Sequence, residues 1–260
     1  MIRVGVGGWT YQPWRGTFYP DGLKHADELA FAASKLTAIE INGTFYRAQS
    51  AASFAKWRDQ TPDGFVFTVK GHRAVVNARK LAETGEALGW FFNSGVADLG
   101  AKLGPVLWQF APFKKFDAED LAAFLKLLPR EAGGLPLRHA VEVRSPTFVV
   151  PEFVDLCRAH EVAIVFADSD AYPAIGDVTG DFVYARLQRS AEDVATGYSG
   201  DALDRWAERA RTWQAGGEPD DLPRIGTKRA PKKERDVFVF MIAGAKVRAP
   251  AAATGLIERL

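Results

Sequence analysis

Short apolar segments alternate with helical patterns along the whole chain, and this alternation constrains the fold more than any other feature. Most segments are rich in Val, Ile and Phe and show little polar–apolar alternation, as in strands buried on both faces. The predicted strands are Arg3–Gly8, Ala38–Asn42, Phe65–Lys70, Pro105–Phe110, His139–Arg144, Val162–Asp168, Phe182–Gln188 and Val237–Ile242. Eight strands with crossover-length connections predict an α/β fold, a parallel (β/α)8 barrel of the TIM type.

The connections carry helix signals, with one exception. Ser50 and Asp117 each precede a helical pattern and are predicted N-caps. The stretch after the sixth strand is rich in Gly, Pro and Asp, so the sixth helix is predicted to be short or missing. A chain of 260 residues suits one such domain, and we predict a single barrel over residues 1–260 with a basic surface loop at about 222–236.

Composition and charge exclude several classes of protein. Apolar residues make up 47% of the chain, which supplies a large core. The formal net charge of +1 lacks the basic excess of a dedicated nucleic-acid-binding protein. No apolar run reaches the roughly 18 residues of a membrane span, and no basic-then-apolar leader precedes the first strand. We therefore expect a cytoplasmic protein whose partner is a small-molecule ligand rather than a membrane or a nucleic acid.

Polar and charged residues occur at the carboxyl ends of six consecutive predicted strands. In a (β/α)8 barrel the active site lies at this end. Charged side chains are rarely buried there unless they pair with each other or bind a ligand. With a side-chain period of two, the polar groups of these strand ends are Glu40, Asn42, Thr68, Lys70, Gln109, Glu142, Arg144, Asp168, Tyr184, Arg186 and Gln188. This polar ring predicts a functional pocket, and a purely structural charge network is the alternative.

The carboxylates and cations of the ring suggest acid–base chemistry. Glu40 and Glu142 are the predicted acid and base, because two carboxylates in one site can divide these roles. Lys70 is the third predicted catalytic residue, and a Schiff base at its amine is a weaker alternative because two arginines lie nearby. The predicted substrate-binding residues of the ring are Asn42, Gln109, Arg144, Asp168 and Arg186.

The loop after the first strand is unusually aromatic. Its large side chains are Trp9, Tyr11, Trp14, Phe18 and Tyr19. Aromatic rings can form a stacking wall for a sugar ring or a base. We expect most of them to pack, with Trp9, Tyr11 and the later Tyr46 as the ligand-binding candidates. The alternative is that they only plug the barrel top and pack against Phe45 and Tyr46.

The loop before the last helix is basic. Lys246 and Arg248 lie just ahead of a helix N-terminus. Barrels of this type commonly hold phosphate at this position, through helix N–H groups and basic side chains. Both residues are therefore predicted to bind substrate, with solvated surface charge as an equally weighted alternative.

Metal chemistry has less support in the sequence. No cofactor is predicted, although Glu40, Glu142 and Asp168 together leave a Mg²⁺ or Mn²⁺ site open. Of the four histidines, only His72 lies near the strand ends. There is no His-Glu-x-x-His and no pair of cysteines, so a zinc site is not predicted.

The segment Arg224–Arg235 is strongly basic and looks like a nucleic-acid patch. It joins a helix to the eighth strand, however, and therefore belongs to the amino-terminal face of the barrel. We interpret it as a mobile surface loop away from the site.

Several blocks of the sequence resemble the YecE-like family, also described as domain of unknown function 72. The matching blocks are Gly7-Gly8-Trp9-Thr10-Tyr11, Trp14-Arg15-Gly16, Phe18-Tyr19-Pro20, Glu40-Ile41-Asn42-Gly43-Thr44-Phe45-Tyr46-Arg47, Leu103-Gly104-Pro105-Val106-Leu107-Trp108-Gln109-Phe110, Glu142-Val143-Arg144 and Ala249-Pro250. The resemblance covers almost the whole chain and implies a TIM-type barrel. It implies no activity, because the family is largely uncharacterised.

The chain departs from the family pattern at three places. Val76-Asn77 stands where the family often has Thr-His, and Arg186-Leu187-Gln188-Arg189 where it often has Arg-x-His-Gly. Met241-Ile242-Ala243-Gly244 replaces a segment that is often rich in Asn and Asp. These changes argue against histidine-dependent chemistry and favour the Glu, Lys and Arg side chains.

Three functions follow from these features. The leading prediction is an enzyme with hydrolase- or isomerase-type acid–base chemistry on a small polar molecule of anionic or carbohydrate-like character. The alternatives are a metal-dependent phosphodiesterase or nuclease on a similar barrel, and a non-catalytic small-molecule-binding protein.

Overall fold

A computed structural model describes all 260 residues and contains a closed barrel of eight parallel strands. The strands are β1 (Ile2–Gly7), β2 (Ala38–Ile41), β3 (Val66–Lys70), β4 (Leu103–Gln109), β5 (His139–Glu142), β6 (Ala163–Asp168), β7 (Phe182–Leu187) and β8 (Asp236–Met241). The barrel closes where β8 pairs with β1, from Ile2 opposite Val237 to Val6 opposite Met241. The predicted (β/α)8 barrel is confirmed, with small shifts at the strand ends.

Helices connect the strands around the outside of the barrel. They are α1 (Glu28–Lys35), α2 (Ala51–Asp59), α3 (Arg73–Val76), α4 (Gly85–Asn93), α5 (Ala118–Leu127), α6 (Pro151–Ala159), α7 (Gly200–Gln214) and α8 (Ala249–Ile257). The predicted caps are present: the side chains of Ser50 and Asp117 accept hydrogen bonds from the backbone N–H groups of Ser53 and Asp120. Residues 169–181, between β6 and β7, form no helix. None of the helices combines the length and the apolar character needed to cross a membrane.

The barrel interior is filled below the site by a layer of small and large apolar side chains. Its members are Ala38, Val66, Leu107, Ala140, Ala163, Val165, Phe182, Tyr184, Phe238 and Phe240. Gly5 of β1 also belongs to this layer, because a Cβ atom there would lie 1.9 Å from the carbonyl oxygen of Ala38. The packed layer closes the interior, so inward-pointing side chains nearer the carboxyl ends form the floor of the site.

The amino-terminal end of the barrel is held by structural polar groups. His139 is buried, accepts a hydrogen bond from Trp108 Nε1 at 3.1 Å and contacts the carbonyl of Pro129 at 2.7 Å. Burial lowers the pKa of His139 to about 4, which keeps the ring neutral. His139 therefore has a structural role at the end opposite the site, as its position in the sequence predicts.

The basic segment Arg224–Arg235 leads into β8 at the amino-terminal end, away from the carboxyl ends of the strands. Both ends of the segment are anchored to the body of the protein, while residues 227–234 are mostly exposed, as expected for a surface loop. Arg224 forms an ion pair with Glu218 at 2.9 Å, and Arg235 is only 4% exposed. The buried carboxylate of Asp177 accepts hydrogen bonds from the backbone N–H groups of residues 225 and 226. Part of the positive charge that resembles a nucleic-acid patch is therefore neutralised by ion pairs within the protein.

Candidate functional site

A cleft of about 640 Å³ opens at the carboxyl ends of the strands. Its polar and charged lining residues are Thr10, Asn42, Gln49, Lys70, Gln109, Arg144, Arg186 and Lys246. Its larger apolar and aromatic lining residues are Trp9, Trp14, Ile41, Tyr46, Trp57, Met241 and Ile242. Most of the polar ring predicted from the strand ends therefore meets at one cleft or directly beneath it.

Arg186 of β7 forms the centre of the floor and is 2% exposed. Its Nε and Nη2 donate to the two carboxylate oxygens of Glu40 at 3.0 and 2.9 Å, and its Nη1 donates to Glu142. Burial alone disfavours the charge of Arg186, but Glu142 and Glu40 raise its pKa above the ordinary value. The guanidinium is therefore a permanent cation held between two carboxylates.

Other neutral and cationic side chains also donate hydrogen bonds to these two carboxylates. Glu40 accepts a hydrogen bond from the Tyr184 hydroxyl at 2.7 Å. Glu142 accepts hydrogen bonds from Gln109 Nε2 and Arg144 Nε, both at 2.9 Å. Burial tends to raise the pKa of Glu142, but the neighbouring arginines Arg186 and Arg144 lower it overall. Glu142 thus stays ionised, with its oxygens used within the protein.

This arrangement favours a role for Glu40 and Glu142 that differs from the acid and base roles predicted from the sequence. Both carboxylates are wholly buried, and neither lines the cleft. A buried carboxylate that already accepts two or more hydrogen bonds is poorly suited to exchange a proton with a ligand. The geometry instead supports a positioning role, in which both groups fix the guanidinium of Arg186 beneath the cleft.

Lys70 at the end of β3 has a different environment. Lys70 is 9% exposed, and its amine lies 4.5 Å from the centroid of the Phe45 ring. No hydrogen bond or ion pair holds the amine. Burial, followed by repulsion from Arg186, lowers the pKa of Lys70 to about 8, although Glu40 and Glu142 partly oppose this. A pKa of about 8 gives Lys70 a substantial neutral fraction near physiological pH, and burial also lowers the pKa of Lys246.

Arg144 and Lys246 complete the cations of the cleft. The Arg144 guanidinium lies 4.3 Å from the centroid of the Tyr172 ring. The Lys246 amine lies 4.5 Å from the Tyr11 ring, and the carbonyl of Lys246 accepts a hydrogen bond from Trp14 Nε1 at 2.9 Å. Every charged side chain that lines the cleft is therefore a cation, because the two acidic partners are buried beneath it.

An uncharged wall of aromatic and amide side chains faces the cleft on the β1–β2 side. We call it the aromatic–amide wall, and its members are Trp9, Asn42, Tyr46, Gln49 and Trp57. Trp9 and Trp57 meet edge to face with their ring centroids 5.1 Å apart. The ring centroids of Tyr46 and Phe45 lie 4.9 Å apart, and Tyr46 is 66% exposed.

The remaining aromatic residues of the first loop are packing residues. Phe18 and Tyr19 contact Phe31 of α1, at centroid distances of 5.5 and 5.7 Å. These contacts differ from the packing alternative proposed from the sequence, in which Phe45 and Tyr46 are the partners. Tyr11 does not line the cleft, and its ring lies against the amine of Lys246, which does.

Asp168 and Arg248 do not belong to the cleft, which corrects two further predictions. Asp168 lies on the outer side of β6, where it contacts Arg189 at 3.5 Å and the Tyr198 hydroxyl at 3.4 Å. In β6 the neighbouring residue, Ala167, pairs in register with Arg186. Arg248 Nε donates to the carbonyl oxygen of residue 192 at 2.9 Å. Neither side chain lines the cleft.

The predicted divalent-metal ligands are not assembled. Glu40 and Glu142 bind Arg186, and Asp168 lies on the other face of its strand. The structure brings no three His, Cys, Asp or Glu side chains into an arrangement that could hold a metal ion. The residues present therefore do not fit the Mg²⁺ or Mn²⁺ site that the sequence left open.

Sequence reasoning missed Trp57, Gln49 and Thr10 as cleft residues. Trp57 lies on α2, a helix whose pattern predicts packing against the barrel, yet its indole lines the cleft. Gln49 lies in the loop before α2 and carries no distinctive pattern. The one available signal for the wall was the concentration of aromatic residues in the first two loops.

Comparisons with known proteins match this fold. A sequence profile for the family described as "Protein of unknown function DUF72" matches residues 3–260. The UPF0759 protein YunF of Bacillus subtilis strain 168 is 26% identical over 160 residues, or 60% of this chain and 55% of YunF. The chain thus spans about half the length of the curated relatives it matches.

Solved structures share the same fold. A DUF72 family protein from Thermotoga maritima MSB8 has a TM-score of 0.74 at 22% identity, covering 99% of this chain and 98% of that chain. A D-psicose 3-epimerase has a TM-score of 0.52 at 12% identity, covering 99% and 95%, and this likeness shows the fold alone. The resemblance seen in the sequence blocks is confirmed, and the chain belongs to the DUF72 family.

Proposed function

We propose that the protein is an enzyme that acts on a small anionic molecule, with Lys70 as the proton-transferring residue. Arg144 and Lys246 bind the anionic group of the substrate. The observation that carries this proposal is the charge of the cleft, whose charged lining residues are all cations.

The charge balance favours an anionic ligand over a neutral or cationic one. Four basic side chains line the cleft and two buried carboxylates lie beneath it, so the positive charge is in excess by two when Lys70 is protonated and by one when it is neutral. Low-dielectric walls strengthen the field of such an excess and concentrate anions in the cleft. A phosphate or carboxylate group would restore the balance and replace the water around Arg144 and Lys246.

The properties of Lys70 favour proton transfer at this residue rather than at Glu40 or Glu142. A general base is most effective when its pKa lies near the working pH, and the pKa of Lys70 is about 8. An anion bound nearby favours the charged form of an amine and raises its pKa. A neutral Lys70 in the complex would thus be a stronger proton acceptor, and once it has taken a proton from the substrate it could return that proton as a general acid.

Selective chemical modification tests the neutral amine and the anion site together. Lys70 is expected to react with dilute acetic anhydride with a half-maximal rate near its pKa of about 8, and exposed Lys56 of the same chain serves as the control lysine. Inorganic phosphate is expected to slow the modification of Lys70 and leave Lys56 unchanged. Peptide mass spectrometry measures both extents. If the two lysines share one pH profile, or if phosphate protects neither, the proposal is wrong.

A comparison of turnover separates an enzyme from a non-catalytic binding protein. We expect at least one anionic compound of a cell extract to be consumed by the wild-type protein, and about 100-fold more slowly by Lys70→Met. Mass spectrometry of the small molecules before and after incubation measures this, with Lys56→Met as the matched control. If the wild-type protein changes no compound, enzymatic function is excluded for this set and the binding-protein alternative is favoured.

A further inference from the structure

We propose that the substrate is an anionic monosaccharide, whose sugar lies against the aromatic–amide wall while its phosphate or carboxylate group binds the cations. This inference rests on the proposed function, because it names the substrate class of the same cleft. It goes further by assigning a role to side chains that carry no charge.

The aromatic part of the wall offers flat apolar surface beside the cations. Trp9 and Trp57 form a corner, with their ring planes at 76°, and both line the cleft. Tyr46 lines the same cleft while most of its surface is exposed to solvent. A sugar presents C–H groups on its faces, which such rings can cover, and hydroxyl groups at its edge.

The amide part of the wall suits hydroxyl groups. Asn42 Nδ2 makes only a long hydrogen bond of 3.5 Å to the carbonyl of Glu40, and Gln49 Nε2 one of 3.3 Å to the carbonyl of Arg47. No protein group donates to the amide oxygen of either side chain. Each amide can therefore both donate to and accept from a hydroxyl group, which a cation cannot do.

The order of the strands places this wall between two sets of cations. β2 neighbours β3, which carries Lys70, and β1 neighbours β8, which leads to Lys246. The wall belongs to the β1 and β2 connections, and the contacts from Lys70 to Phe45 and from Phe45 to Tyr46 link it to the reactive amine. A sugar on the wall would thus have one edge near Lys70 and the other near Lys246.

Titration calorimetry with four probes tests this inference: inorganic phosphate, glucose 6-phosphate, glucuronate and glucose. We expect an anionic sugar to bind about ten-fold more tightly than phosphate, because the wall adds stacking and hydroxyl contacts. Glucose should bind more weakly than either anionic sugar. Comparison of glucose 6-phosphate with glucuronate shows which anionic group the cations prefer.

Variants of the aromatic–amide wall provide a second test of this inference. Tyr46→Ala is expected to remove most of the ten-fold advantage of the sugar and to leave phosphate affinity unchanged. Phe113→Ala is the matched control, because Phe113 is also 66% exposed but lies outside the cleft. Gln49→Ala, a second change at an accessible site, should act in the same direction as Tyr46→Ala.

The outcomes separate this inference from the proposed function. If phosphate binds and neither anionic sugar binds more tightly, the sugar assignment is wrong while the anion site stands. If Tyr46→Ala and Gln49→Ala weaken phosphate and the sugar equally, the wall has no selective role and the inference is also wrong. If no anion binds at all, the proposed function fails first.

Discussion

Replacing Arg186 with methionine is expected to lower the free energy of unfolding by about 3–5 kcal/mol, the largest effect of any substitution considered for this site. Arg186 is the only group that binds both Glu40 and Glu142, and all three residues are at most 2% exposed. Its removal leaves two buried carboxylates that face each other without their shared cation. Urea denaturation at neutral pH measures the loss.

A triple variant tests the cause of this loss. When Glu40→Gln and Glu142→Gln are added to Arg186→Met, the buried charges disappear, and we expect most of the lost stability to return. The pH dependence gives a second check. In Arg186→Met the two buried carboxylates lose their shared cation, which favours their protonated forms in the folded protein, so the deficit should shrink as the pH falls. A triple variant no more stable than the single one would contradict this account.

Replacing Lys70 with methionine is expected to stabilise the protein at pH 7, in the opposite direction to Arg186→Met. Burial lowers the pKa of Lys70 to about 8, so the folded protein holds this proton less tightly than the unfolded chain does. The wild-type protein therefore carries a penalty that is full below pH 8 and declines as the pH rises toward the unfolded value. We expect the advantage of Lys70→Met to shrink by about 2 kcal/mol between about pH 7 and pH 9.5.

Urea denaturation at the two pH values measures this difference, and Lys56→Met serves as an exposed control that should not depend on pH in this range. If the stability advantage of Lys70→Met stays constant or grows as the pH rises, burial does not destabilise the charged amine of Lys70 and the prediction is wrong. A residue that lowers the stability of the folded protein is retained at a cleft when the function requires it there. Confirmation would therefore also support the role proposed for Lys70.

Local patterns were sufficient to predict the barrel. Apolar runs, helix periodicity and caps such as Ser50 act over a few residues, so they can be interpreted without knowledge of distant contacts. The absence of a sixth helix follows in the same way from the Gly, Pro and Asp content of residues 169–181. The family blocks supported the same architecture, since they match along nearly the whole chain.

The roles of the polar residues needed the tertiary structure. Because side chains alternate along a strand, the sequence divides the residues at each strand end between two faces. When both faces are buried, the residue types do not show which face points into the barrel. This is why Asp168 was placed in the ring, although it lies on the outer side of β6. It is also why Trp57, which reaches the cleft from a helix, was not predicted.

The sequence by itself determined that six of the eight strand ends would bring carboxylates and cations together at one end of a barrel. Only the tertiary structure decided how they pair: Glu40 and Glu142 bind Arg186, while Lys70 has neither an ion pair nor a hydrogen bond at its amine. The physical reason is that the stagger of the closed barrel sets which strand ends meet across the interior, and no local pattern records that stagger.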